Sequence, residues 1–245
     1  MTELIADHSA QRTARTAGLF YLIYIVVFAA STFIQSSPVV EGDAPGTARN
    51  IMGHLWLFRI GIMSELISVV FFLLAAWALY VLLKPVNRYL ALLFVLVLLG
   101  GVAVECLNTL NRFAAQLLLS NDDYLKTFTA DQLQSLAMFF LDLGSKGGII
   151  TGLLYGVWLF PLGYLVIKSE FLPRTLGVLL ICDGVSLLVC FFQAILFPGY
   201  EKLTYPLYPV MFIAEFGLAL WLLIKGVKMD EIENEIETDN GLREQ

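Results

Sequence analysis

Eight ionisable residues sit inside long apolar stretches of this 245-residue chain: Arg59, Glu65, Glu105, Arg112, Asp142, Lys146, Asp183 and Glu215. Three are basic and five acidic. A charge at mid-bilayer costs at least about 2.5 kcal/mol on insertion scales, so such side chains must face one another or water rather than lipid. Their spacing agrees with a shared interior. Glu105, Asn108 and Arg112 fall at i, i+3 and i+7 on one helical face; Asp142 and Lys146 are an i, i+4 pair; Asp183, Ser186, Cys190 and Gln193 form one polar stripe. Ion pairs that fix how helices assemble account for any single pair. They do not account for the sum: three cations cannot neutralise five acids one to one, so at least two acids must take a proton, a cation or a bound ligand.

Other chemistries lack their residues. Cys106, Cys182 and Cys190 all lie in apolar runs, and His8 and His54 fall in a terminal and a loop segment, so neither a structural disulfide nor a zinc or haem site is expected. There is no Ser/His/Asp set, no glycine-rich phosphate loop and no basic patch with interleaved aromatics for nucleic acid. No catalytic residue, metal ligand or cofactor is assigned, and the reading leans away from an enzyme.

The elements that must hold these charges follow from composition. Of the chain, 58% is apolar and only 15% charged, with a mean hydropathy of +0.78; soluble domains carry roughly a quarter charged residues. Lipid is therefore the expected solvent. Six apolar runs are long enough to cross a hydrocarbon core of about 30 Å: Ala17 to Gln35, Leu55 to Leu83, Tyr89 to Leu119, Leu133 to Ile167, Thr175 to Phe197 and Pro206 to Val227. The first is too long for the apolar region of a cleaved signal peptide and is read as a span. The expected fold is an all-α polytopic membrane protein, six transmembrane helices in one bundle. Residues 1–16 form an N-terminal segment, 17–228 the membrane domain and 229–245 an acidic tail.

Orientation follows from lysines and arginines on alternate sides. Arg12, Arg15, Lys84, Arg88, Lys168, Arg174, Lys225, Lys228 and Arg243 share one side, whereas Arg49, Lys126 and Lys202 share the other. Both termini are expected in the cytoplasm, and a plasma membrane is the expected location. Aromatic belts agree, with Trp56, Tyr200, Tyr205 and Tyr208 on the outer side and Trp77, Tyr80, Tyr164 and Trp221 nearer the inner one. Six acids crowd between Asp230 and Asp239, so the low pI is largely a property of the tail, which is expected to be disordered or frayed.

Short turns at 84–88 and 168–174 make spans two and three, and four and five, antiparallel hairpins. In the first outer loop, Asp43 as N-cap and Pro45 in the first turn predict a short surface helix. Gly144, Gly148, Gly152 and Gly156 recur every fourth residue and predict a smooth stripe for close helix packing, within the monomer or at a dimer or partner seam. Pro161 is expected to kink the same helix. Depth is counted from the basic anchors. Glu65 is 19 residues from Lys84, Glu105 17 from Arg88 and Lys146 22 from Lys168, which places them about 25–33 Å up. Asp183, nine residues from Arg174, and Glu215, ten from Lys225, lie near the middle. The expected site is an outward-facing funnel lined by Arg59, Glu65, Glu105, Asn108, Arg112, Asp142 and Lys146, with Asp183 and Glu215 at its floor.

The segments TARTAGLFYLIYI, EGDAPGTARNI, LFRIGIMSELIS, ALYVLLKPVNRYLALL, LGYLVIKSEFLPRTLGVLLI and LALWLLIKGVK, in this order, resemble the bacterial multipass membrane family of domain of unknown function 4386. The likeness runs from about Arg12 to Lys228 and includes loop prolines, glycines and embedded charges. It implies a six-span inner-membrane protein and supplies no reaction. It also implies a His and a Tyr where this chain has Gly144 and Lys146 in LDLGSKG, a departure that puts a cation into the funnel. Two roles stay open: a protein that binds or transports a small polar or cationic solute, and a membrane sensor or accessory subunit whose charges only specify assembly. A lipid-modifying membrane enzyme is a fainter third.

Overall fold

The computed structural model describes residues 2–120 and 122–227, with side chains from Ser9 onward. The acidic tail expected at 229–245 lies outside the described residues. Seven α-helices, and no strand among the described residues, follow one another: α1 (Thr2–Ser36), α2 (Ala44–Gly53), α3 (Leu55–Leu83), α4 (Arg88–Leu118), α5 (Ala130–Lys168), α6 (Arg174–Leu196) and α7 (Tyr208–Ile224). All but α2 are long and apolar enough to cross a membrane, the last together with the 3-10 turns that precede it, over Glu201–Ile224. Five expected spans agree with their helices to within a few residues. The exception is the start of α1, which is helical back to Thr2 because no glycine or proline interrupts the residues before Ala17.

Local chemistry sets the boundaries. The Asp43 carboxylate accepts from the Gly46 amide at 2.8 Å and Pro45 sits in the first turn, so α2 begins where sequence puts it. Pro85 ends α3, and the Asn87 side chain accepts from the Tyr89 and Leu90 amides at 3.1 and 3.0 Å to open α4. Thr129 and Gln132 cap α5 reciprocally: the Gln132 side chain accepts from the Thr129 amide at 2.9 Å, and the Thr129 hydroxyl accepts from the Gln132 amide at 3.3 Å. α5 continues through Pro161 to Lys168.

The chain divides into two compact units. One comprises Met1–Ile23, Phe71–Leu99 and Leu153–Gln245. Its core is aromatic: Trp158 is fully buried, with Phe72 at 5.3 Å and Phe94 at 6.2 Å between ring centroids, and Tyr21 stacks on Phe72 at 5.9 Å. α5 and α6 cross closely through two glycine pairs seven residues apart. A Cβ on Gly163 would stand 2.7 Å from the Gly177 carbonyl, and one on Gly184 would stand 2.8 Å from that of Gly156. At the end of α7, Gln11 of α1 donates to the Lys225 carbonyl at 3.1 Å and accepts from the Val227 amide at 2.9 Å, satisfying groups that a helix terminus leaves open.

The other unit comprises Tyr24–Val70 and Gly100–Gly152. α2 buries Ala48 and Ile51 against Phe58, Ile62, Ala115, Leu119 and Ala137, which makes the short helix part of a core rather than a loose loop. Most of the embedded charges belong to this unit.

Candidate functional site

Glu65 is 2% exposed and fully occupied by donors. Its Oε1 accepts from Arg112 Nη1 at 2.8 Å and from the Thr109 hydroxyl at 3.2 Å, and its Oε2 accepts from Gln35 Nε2 at 2.9 Å. Gln35 in turn donates to the Ser31 hydroxyl at 2.7 Å, and Ser31 donates to the Gly61 carbonyl at 2.9 Å. Each partner is placed by helical spacing. Ser31 and Gln35 are one turn apart on α1, Gly61 and Glu65 one turn apart on α3, and Thr109 and Arg112 three apart on α4.

Glu105, 6% exposed, stands against Glu65 and near Thr151, whose hydroxyl donates to the Gly147 carbonyl of its own helix at 3.4 Å. Contact between two bare carboxylates is repulsive and becomes attractive only with a proton or a cation between them. The Arg112 guanidinium pairs with Glu65, and Glu105 has no ion pair among the described residues. Beside them, Asn108 donates from Nδ2 to the Gly144 carbonyl at 2.8 Å and accepts from Asn111 at 3.0 Å. Gly147 makes room for this amide: a Cβ there would lie 2.1 Å from Asn108 Oδ1.

Of the expected site residues, Glu65, Glu105 and Arg112 lie together, whereas the Asn108 amide turns to α5 at Gly144. Arg59, Asp142 and Lys146 do not join them; all three are exposed. Among the described residues the ion pairs are Arg112–Glu65, Lys126–Asp123 and Arg174–Glu170, so Asp142 and Lys146 are not a pair. Helix length explains this. α5 has 39 residues, about 58 Å, and Asp142 and Lys146 stand about 39 and 33 Å from its Lys168 end, beyond a hydrocarbon core of about 30 Å. Arg59 lies about 37 Å from Lys84 by the same count. Arg112, at a similar distance from Arg88, turns back onto Glu65.

Asp183 and Glu215 belong to the other unit. Asp183 is fully buried, and neither of its carboxylate oxygens has a hydrogen-bond partner among the described residues. Glu215 on α7 is its electrostatic neighbour and is itself within hydrogen-bond reach of the Tyr21 hydroxyl. The expected polar stripe on α6 breaks up below Asp183. Ser186 donates to the Cys182 carbonyl of its own helix at 2.8 Å, and Gln193 donates to the Phe197 carbonyl at 3.0 Å. The packing stripe on α5 is also discontinuous: Gly144 and Gly156 meet neighbours, but a Cβ on Gly148 or Gly152 would meet nothing within 4 Å. Rotation about a helix of 3.6 residues per turn carries an every-fourth-residue row gradually off the contact face, and Gly163 takes up the crossing instead.

Sequence reasoning missed Ser31, Gln35, Thr109, Thr151 and Gly147. Thr109 had a legible signal, one turn after Glu105 and on the Arg112 face, whereas Gln35 reads as the mere end of a span.

A family model described as Domain of unknown function (DUF4386) matches residues 16–226. The chain belongs to this family. An "Uncharacterized protein" of Archaeoglobus fulgidus is 28% identical over 159 residues, covering 64% of this chain and 78% of its own length. No solved structure matches. The family match covers the residues of both acidic groups and all of the apolar helices except the start of the first.

Proposed function

We propose that the protein binds a small cation or cationic solute within the membrane and passes it across, with its buried acids as the ligands. The reading rests on charge: Arg112 is paired with Glu65, and the adjacent buried Glu105 has no ion pair among the described residues, so their buried group is short of one positive charge. Asp183, buried without a donor, repeats that deficit on α6. Under this proposal both termini are cytoplasmic, the solute enters from outside, and the membrane is the plasma membrane, as the nine-to-three basic asymmetry supports.

Purified protein in sealed proteoliposomes tests this. Imposed gradients of sodium, potassium, protons and small amines should drive a flux of at least one species, and Glu105→Gln should abolish it. Liposomes no leakier than empty ones to every species would end the transport reading. One observation favours the alternative of an accessory subunit: Gly148 is exposed with open space above it, room for a helix of another protein. That role requires a co-purifying membrane partner whose association is lost in Gly148→Leu and kept in Glu105→Gln.

A further inference from the structure

Along α1 from Ser9 to Phe20 runs a groove of about 710 Å³, bounded on the other side by α3. It shares no residue with either acidic site. Arg12, Thr13, Thr16 and Phe20 fall on one face of α1, and Leu74 and Trp77 on the facing side of α3. The groove is chemically graded. Arg12 and Thr16 make one end polar; the Thr13 hydroxyl beside them is spent on the Ser9 carbonyl at 2.8 Å. The other end is apolar, with Phe20 closed by Phe71 at 6.0 Å between ring centroids. Trp77, 61% exposed, stacks on Tyr80 at 5.4 Å and forms one wall.

Arg12 is exposed and belongs to none of the ion pairs among the described residues, and none of the described residues that line the groove is an acid. An arginine fork is matched to phosphate oxygens, and the apolar half is matched to an acyl chain. A zwitterionic headgroup would bring an ammonium for which the described residues of the groove offer no carboxylate. A free phosphate would leave the apolar half unused.

We propose that this groove is a binding site for one anionic glycerophospholipid, its phosphate on Arg12 and Thr16 and an acyl chain along Phe20, Leu74 and Trp77. The test uses the full chain in mixed micelles, titrated with brominated phosphatidylglycerol or brominated phosphatidylcholine. The Trp77 contribution to fluorescence is the difference between wild type and Trp77→Phe. Phosphatidylglycerol should quench it at about fivefold lower mole fraction, the preference expected of one basic residue at the membrane surface. Arg12→Gln should erase the preference and Arg12→Lys retain part of it, while Lys84→Gln, outside the groove, keeps it whole. Thr16→Leu, which preserves the charge, should weaken it. Equal quenching by both lipids in wild type, an unchanged preference in Arg12→Gln, or displacement by inorganic phosphate would each overturn the proposal.

Discussion

Replacing Arg112 with methionine removes the cation paired with Glu65, which has the buried Glu105 beside it. Glu65, 2% exposed, would keep Gln35 at 2.9 Å and Thr109 at 3.2 Å as donors but would lose its ion pair at 2.8 Å and face Glu105 alone. Breaking a buried pair from one side costs about 3–5 kcal/mol. The lower end applies, about 3 kcal/mol, because two neutral donors remain and the Arg112 side chain is itself 23% exposed. Glu65→Gln should cost less, about 1 kcal/mol, since Arg112 can turn to the neighbouring Glu105. The double variant removes both partners together and should lie within about 1–2 kcal/mol of wild type, a coupling of about 2–3 kcal/mol. Denaturant unfolding in mixed micelles, followed by tryptophan fluorescence, measures all four corners of this cycle. Strict additivity, with the double variant as damaged as the sum of the singles, would refute the claim that Arg112 acts through Glu65.

Three further outcomes are expected. Gly148→Ala should change stability by less than about 0.5 kcal/mol or raise it slightly, because its added methyl meets open space, whereas Gly163→Ala should cost about 2 kcal/mol or more by driving a methyl into the Gly177 carbonyl and Ile181; unfolding midpoints of the two variants decide. Asp43→Ala should cost about 1 kcal/mol through the lost cap, read most directly as faster amide exchange in α2. Single cysteines placed after Gly42, Asp123 and Glu201 in a cysteine-free background should all react with an impermeant reagent from outside; protection of any one would overturn the proposed orientation.

The six spans were legible because apolar runs of membrane length leave little freedom, and hydropathy registers them directly. Caps at Asp43 and the turn at Asn87 were legible for the same local reason. The charges were legible as residues but only partly as a site. Glu65, Glu105 and Arg112 found one another because two helices each present a single polar seam. Asp142 and Lys146 misled because α5 is longer than the membrane is thick, so distance from the apolar run was a poor measure of burial. Gln35 and Ser31 were missed because an amide and a hydroxyl in an apolar helix carry no charge to announce them, although inside a low-dielectric core they satisfy a carboxylate. The glycine stripe showed the reverse error: sequence spacing named a face, and only the crossing geometry decides which of its members touch.

The central claim, that the buried acids hold a cation, is tested most directly by the unfolding temperature of the purified protein in a series of sodium, potassium and alkylammonium chlorides at matched ionic strength. A ligand at about 100 times its Kd stabilises by about 2.7 kcal/mol, which for a chain of this size is a rise of about 5–10 °C. At least one cation should produce such a rise in wild type and fail to do so in Glu105→Gln or in Asp183→Asn. If wild type and both variants respond alike to every cation, the acids are structural and the claim is wrong.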